Sequence, residues 1–248
     1  MTKEKICKIL SPFFFLLVWY AVAAIIRAPL ILPFPHSVLF RLFELARTSF
    51  FWRAFSFTFL RVIVSFIISF AAGFFLGLFA ADCKTFKAFI EFPLALVRAT
   101  PVIAFILPAL FWFTSGIVPV VVTVVMCLPI VITAAEKGFE KNPENIEKLF
   151  KANSRGICGL KAFLYIRLPA AKPALLSGAE SSFGLSWKVV AAGEVLSIPK
   201  NAAGSMMQQA QVHLETCDVL AVTIALVLIS ALCQLGIRLL IETHSKNQ

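Results

Sequence analysis

The sequence predicts an all-α, polytopic membrane protein with six transmembrane helices and both termini on the cytoplasmic side. Three observations carry this. Of the 248 residues, 60% are hydrophobic and only 15% are charged, against about 45–50% and about 25% in soluble domains. Apolar stretches long enough to cross a hydrocarbon core of about 30 Å recur along the chain. The basic residues, finally, fall very unevenly on the segments between those stretches. A water-soluble domain, a disordered chain and a small secreted scaffold are excluded together, because 26 Phe residues exceed what a soluble surface can hide.

The elements follow in order. Ile9 to Ile26 is the first apolar stretch. It is too long for the hydrophobic part of a signal peptide, and Arg27-Ala28-Pro29 offers no small-x-small cleavage site, so it reads as a retained anchor. In the following loop Val38, Leu39, Leu42, Phe43 and Leu45 predict an amphipathic helix at the membrane interface, alongside Arg41, Arg47 and Arg53. Val62 to Ala81 is the second span, starting upstream near Ala54, with Arg61 in its outer turn. Ala99 to Ala135 is uncharged over 37 residues, about 55 Å as one helix, so it must fold back into a third and a fourth crossing. Thr114-Ser115-Gly116 is the expected turn. Pro173 to Gly193 is a weaker fifth span, interrupted by Glu180 and Lys188, and Val219 to Ile237 is the sixth.

With the N-terminus inside, segments 1–8, 82–98, 136–172 and 242–248 carry fifteen Lys and Arg residues, and the external segments 28–53 and 194–218 carry four. The excess of basic residues on one side fixes the orientation, and it turns the net charge of +10 from a sign of nucleic acid into a topological signal. The chain divides into an anchor with its external loop (1–53), a core of five spans (54–241) and a short tail (242–248).

The six cysteines show no C-x-x-C pair and no nearby His, so they read as small buried hydrophobes rather than as metal ligands or a disulfide framework. No metal site and no catalytic residue is assigned; His36, His213 and His244 lie outside the spans without a Ser, Cys or carboxylate at a catalytic spacing. A membrane-embedded enzyme would need an acid–base, metal or nucleophilic cluster within the spans, and the spans hold almost none.

The segment 136–172 holds eight basic residues and four Glu. Asn142, Pro143 and Glu144 suit a helix start, and Ile146, Leu149, Phe150 and Asn153 follow at helical spacing. Ser154-Arg155-Gly156 breaks that helix; a second, from Leu160, is expected to end at Leu168-Pro169. Such a helix-turn-helix fits either a docking knob for a soluble partner or a basic loop resting on anionic lipid. In the second span Arg61, Ser65, Ser69, Gly73 and Gly77 recur every four residues, and Gly73-x-x-x-Gly77 permits tight helix contact. In the fifth, Ser177, Ser181, Gly184, Lys188 and Ala191 share a side with Glu180. Such a polar stripe faces a bundle interior or a water path, making this helix the expected pathway liner; Glu180 and Lys188 either neutralise each other or leave Lys188 to meet a small anionic solute.

The run Ala152-Asn153-Ser154-Arg155-Gly156, with Leu168-Pro169 twelve residues after the glycine and Ala170 to Gly178 beyond, resembles the "EAA" loop of ABC-importer permeases. The likeness is greatest to the branch that takes up sulfonates, taurine, nitrate, bicarbonate or thiamine-pyrimidine precursors. Leu32-Pro33-Phe34-Pro35, Phe59-Leu60-Arg61, Arg98-Ala99-Thr100-Pro101, Gly184-Leu185-Ser186-Trp187 with Glu194, and Gly204 with Gln208 to Gln211 agree with it in the same order. The loop departs from the pattern in placing Phe150 where the family has an acidic residue.

The resemblance implies a type I importer fold in a bacterial inner membrane, with Ala152 and Gly156 in a coupling helix seated on an ATP-binding subunit. It implies two ATP-binding subunits, a second permease chain, most simply a homodimer, and an extracytoplasmic solute-binding protein. Arg61, Ser177, Glu180, Ser181, Gly184, Trp187, Lys188 and Glu194 are the pathway residues, Glu194 as a gate or loop anchor. ATP and magnesium belong to the partner: the chain has no G-x-x-x-x-G-K-[ST] motif and binds no cofactor itself. A small anion such as a sulfonate is the expected cargo, and a thiamine-pyrimidine precursor is the alternative.

Overall fold

A computed structural model describes residues 3–140 and 163–246, with side chains over 10–140 and 163–239. Every regular element among them is helical. Helix α1 is Lys3–Ile26, α2 Pro35–Ala46, α3 Ser49–Asp82, α4 Lys84–Ala99, α5 Ile103–Trp112 and α6 Val118–Glu140. After a single π-helical turn, Phe163–Arg167, come α7 Leu168–Ser197, α8 Ala203–Val212 and α9 Thr216–Lys246.

The framework is α6 packed between α3 and α7. Small residues let the three backbones approach. A Cβ on Gly73 would lie 2.6 Å from Val131 Cβ, and one on Gly77 would lie 2.6 Å from Ala135 Cβ and from the Ile132 carbonyl. The Gly73-x-x-x-Gly77 stripe is thus a seam within the chain, against α6. Gly178 meets Ala134, and Gly193 meets Pro119, on the other side of α6 in the same way. Ser65 and Ser69, buried on the α3 stripe, return their hydroxyls to the Arg61 and Ser65 carbonyls of the preceding turn, both at 2.6 Å, which satisfies them without a partner helix.

Three apolar clusters fill the remaining contacts. Phe51, Phe55 and Val62 of α3 meet Phe183, Trp187 and Val190 of α7, Met206 of α8 and Val222 of α9. Ile106 and Ala109 of α5 pack on Val118, Val122 and Val189. Ala135, Phe139, Ala171 and Leu175 close the end from which residues 141–162 leave. Of the four described free cysteines Cys127 is buried, while Cys83, Cys217 and Cys233 are half-buried.

The described helices bear on several expectations. Three helices, Ser49–Asp82, Val118–Glu140 and the Thr216–Leu239 part of α9, are long and apolar enough to cross a membrane; four qualify if the α4–α5 pair is one span. The third crossing is not a straight helix from Ala99: α4 and α5 meet at 102°. Pro101 explains the break, since it has no N–H to donate and pushes Thr100 out of the helical region; Thr100 is extended, at ψ 129°. The helix expected to end at Leu168-Pro169 does not end there, because the π turn runs directly into α7 and Pro169 sits in its first turn, where a missing N–H costs nothing. Helix α2 forms where an interfacial helix is expected, and its Arg41 is bonded to Asp218 at the head of α9 at 2.5 and 2.9 Å, while Arg47 lies 4.3 Å over the Phe43 ring.

Candidate functional site

Helix α7 is the most polar long helix of the bundle, and its polar residues divide between two faces. Ser182 and Ser186 are buried and turned towards α6, where Cys127 Sγ lies 3.4 Å from the Ser182 carbonyl and from Ser186 Oγ. Ser177, Glu180, Ser181 and Lys188 are exposed. No ion pair joins Glu180 to Lys188 among the described residues. Gly184 lies between these faces, where a Cβ would stand 3.2 Å from Gln234 Oε1 of α9. Trp187 belongs to the core: it is buried beside Phe59, with ring centroids 6.1 Å apart, and its indole N–H has no partner among the described residues.

The exposed serines open onto a cleft of about 390 Å³ lined by Arg98, Pro129, Ile130, Thr133, Ala134, Ala174, Ser177, Gly178 and Ser181. Arg98 is the last-turn basic residue of α4, delivered to α6 by the break that follows. Its Nη2 donates to the Pro129 carbonyl at 3.0 Å and to Thr133 Oγ1. In the sequence Arg98 stands out only as part of a motif, and Thr133 not at all. The available signal was an arginine three residues before a proline in an otherwise apolar run.

Towards the other end of α7 the side chain of Glu194 is fully buried yet has several donors. Arg61 Nη1 donates to Oε1 at 2.8 Å, Thr58 Oγ1 to Oε2 at 2.8 Å, and the Gly204 N–H to Oε2 at 3.1 Å. Thr58 Oγ1 also accepts from the Ala203 N–H at 2.9 Å. Arg61 reaches on to the Lys200 and Asn201 carbonyls at 3.4 and 3.5 Å. The loop it grips holds Ile198 and Asn201 at φ 48° and 52°, a left-handed conformation that costs a β-branched residue such as Ile198 most and persists only where its surroundings enforce it. Helices α3, α7 and α8 are thereby joined through one buried carboxylate.

At the opposite end two ion-pair sets flank the segment 141–162. Lys87 of α4 bridges Glu136 and Glu140 of α6 at 2.7 and 2.8 Å. Arg167, just before α7, pairs with Asp82 at the end of α3. Ile146, Leu149, Phe150, Ala152 and Gly156 lie outside the described residues, while Leu168 and Pro169 open α7 and line, with Phe70, Phe74 and Leu175, an apolar groove. No group of three or more His, Cys, Asp or Glu able to hold a metal ion occurs among the described residues.

Residues 73–245 match the family of binding-protein-dependent transport system inner membrane components. The chain belongs to this family. The taurine transport system permease protein TauC of Escherichia coli is 24% identical over 91% of the permease and 83% of its own length. A glycine betaine transport system permease protein, OpuAB of Bacillus subtilis, is 27% identical over 68% of the permease and 59% of its own length. A putative ABC transporter permease of Methanocaldococcus jannaschii is 25% identical over 96% and 90%. Among solved structures, the inward-facing MetNI methionine ABC transporter matches with a TM-score of 0.59 at 17% identity, over 77% of the permease and 93% of that chain, and so shares its fold. The permease is therefore the inner-membrane component of an ABC importer. The matched stretch contains the cleft, Glu194 and the segment 141–162, whereas Thr58 and Arg61 lie upstream of it.

Proposed function

We propose that the permease forms the pathway for a small solute bearing an anionic group, along the exposed face of α7. The observation that carries this is the cleft itself: three hydroxyls, of Thr133, Ser177 and Ser181, and a guanidinium converge at membrane depth on a wall otherwise made of Pro, Ile, Ala and Gly, and polar groups in membrane spans mark solute paths. TauC is named for taurine and OpuAB for glycine betaine; both solutes carry an acidic group, a sulfonate or a carboxylate, so a cationic element that recognises an oxyanion suits either.

Six crossings are supported by how the elements pair. The α4–α5 pair runs from Lys87, beside Glu136 and Glu140, to Ile106 and Ala109, beside Val118, so the bent pair travels the length of α6. Counting α1, α3, α4–α5, α6, α7 and α9 gives six, with both termini on the basic, cytoplasmic side. Two copies would face each other across the exposed α7 stripe, and an ATP-binding subunit would dock on residues 146–156 of each. A solute-binding protein would deliver cargo to 28–53 and 194–218. Closure of the ATPase pair on ATP then biases a two-state bundle, as differential docking requires.

The test uses the complete transporter. Ser181→Trp sets an indole in the cleft; uptake of the solute held by the system's binding protein should fall at least tenfold while the ATPase still copurifies. Gly156→Glu should instead abolish that copurification with membrane insertion intact. Undiminished uptake in the first variant removes this face of α7 from the path.

A further inference from the structure

We infer that Arg98, presented by the break between α4 and α5, is the group that holds the cargo's oxyanion, a sulfonate or carboxylate, during transit. This deepens the pathway reading and rests on it. The sequence offers two other candidate cations for the path, Arg61 and Lys188. Arg61 is committed: Glu194 takes its charge and the 200–201 carbonyls take its remaining reach. Lys188 is exposed on α7, about 10 Å further along the helix axis than Ser181 at 1.5 Å per residue, and does not line the cleft. Arg98 lies in the cleft, and both of its bonds are made by Nη2 to neutral acceptors, the Pro129 carbonyl and Thr133 Oγ1. Its charge therefore has no counter-ion among the described residues. Nε–H and the two Nη1 hydrogens remain, and they meet oxyanion oxygens one at a time, because both forked edges of a guanidinium include Nη2.

The surroundings fit this role. An uncompensated guanidinium among apolar walls is costly, so a cleft that wets when empty and takes an anion when loaded relieves it in both states. Ser177 and Ser181, one turn apart on α7, face the same space and can donate to a third oxygen. Gly178 and the alanines at 134 and 174 leave room, and about 390 Å³ lies at the low end of ligand pockets, roughly 300–1,000 Å³. The bonds from Nη2 fix the guanidinium plane in advance, so little rotamer entropy is lost when the anion arrives.

Charged thiol reagents at position 181 test this whichever solute is the cargo. The permease carrying Ser181→Cys, assembled with its ATPase in phosphatidylcholine nanodiscs, is treated with the anionic 2-sulfonatoethyl or the cationic 2-(trimethylammonio)ethyl methanethiosulfonate. Modification at that position is followed by peptide mass spectrometry. The anionic reagent should react faster, and adding Arg98→Gln should lower the anionic-to-cationic rate ratio about tenfold, as expected for one nearby unit charge in a semi-polar site. Arg98→Lys, which keeps the charge, and Thr133→Val, which removes only an anchor, should each preserve most of the preference. Ethanesulfonate should slow labelling when Arg98 is present and not with Arg98→Gln; ethanolamine should do nothing.

An unchanged ratio in Arg98→Gln, or Thr133→Val behaving like it, overturns the inference and leaves Arg98 as a structural tie. Reaction at equal rates with both reagents overturns the inference alone, whereas failure of both reagents to reach position 181 overturns the pathway reading with it. Nanodiscs containing phosphatidylglycerol distinguish a lipid phosphate as occupant: if labelling slows only there and ethanesulfonate adds nothing, the site belongs to lipid and the cargo assignment falls.

Discussion

Replacing Glu194 by alanine removes at one stroke the acceptor used by Arg61, Thr58 and the Gly204 amide. Arg61, whose side chain is only 12% exposed, would then keep its charge with nothing but two long carbonyl contacts to offset it. Removing one partner of such a buried pair costs about 3–5 kcal/mol, so Glu194→Ala should lower resistance to SDS unfolding in mixed micelles by that amount. Glu194→Gln still offers an oxygen to Thr58 or Gly204 and should lose less. A small variant with a large effect checks the same node from its other side. In Gly204→Ala the new Cβ would stand 2.5 Å from Glu194 Cβ and 2.7 Å from the Ala191 carbonyl, an overpacking worth about 1–3 kcal/mol. Arg61 and Glu194 are each conspicuous in the sequence, yet their union is not, because they are 133 residues apart. Thr58 is invisible for another reason: a threonine in an apolar span is unremarkable until a carboxylate is found beside it. Arg98 gains its meaning only from the bend, which no periodicity records.

At the scale of elements, what was legible is what depends on local chemistry. Thr48 ahead of α3 accepts from the Phe51 N–H at 3.3 Å as a helix cap does. Thr114-Ser115-Gly116 falls between α5 and α6, and the polar face of α7 is written at helical spacing. The α4–α5 bend was written as well, in Thr100-Pro101, but an uncharged run of 37 residues outweighs one proline when only length and hydropathy are counted. The partner of the Gly73–Gly77 face is set by tertiary packing, since a small-residue stripe favours an intramolecular seam over a dimer seam without naming the helix it meets. That seam is measurable. Gly77→Val would drive a branched side chain into Ala135 Cβ and the Ile132 carbonyl, each already 2.6 Å from a bare Cβ, and should destabilise the α3–α6 pair by about 1–3 kcal/mol. Gly116→Ala, with nothing within 4 Å of its Cβ, is the matched control and should leave the unfolding midpoint in place.

Across the whole molecule the two ends of the bundle differ in kind. One end gathers Asp82, Lys87, Glu136, Glu140 and Arg167 into ion pairs around the legs of the 141–162 segment; the other is tied by Arg41 to Asp218 and by Arg61 to Glu194. Motion of a docked ATPase at the first end can reach the Arg98 cleft through α4 and α7, which Lys87 and Arg167 fasten to the ends of α6 and α3. The proposed sense of this bundle in the bilayer rests on the charge count: with Arg98 set aside in the cleft, fourteen Lys and Arg residues belong to the segments 1–8, 82–97, 136–172 and 242–248 and four to the segments 28–53 and 194–218, and Lys and Arg near span ends are retained on the cytoplasmic side. Reporter fusions test this directly. Alkaline phosphatase, active only outside the cytoplasm, should be active when fused within 113–117 or 198–202 and inactive after residue 83 or 248, and a fluorescent protein that folds only in the cytoplasm should give the complementary pattern. Activity after both 83 and 113–117 would mean that the α4–α5 pair re-enters on one side without crossing. The span count would then be odd, the termini would lie on opposite sides of the membrane, and the Arg98 cleft would open at a membrane face instead of within a path.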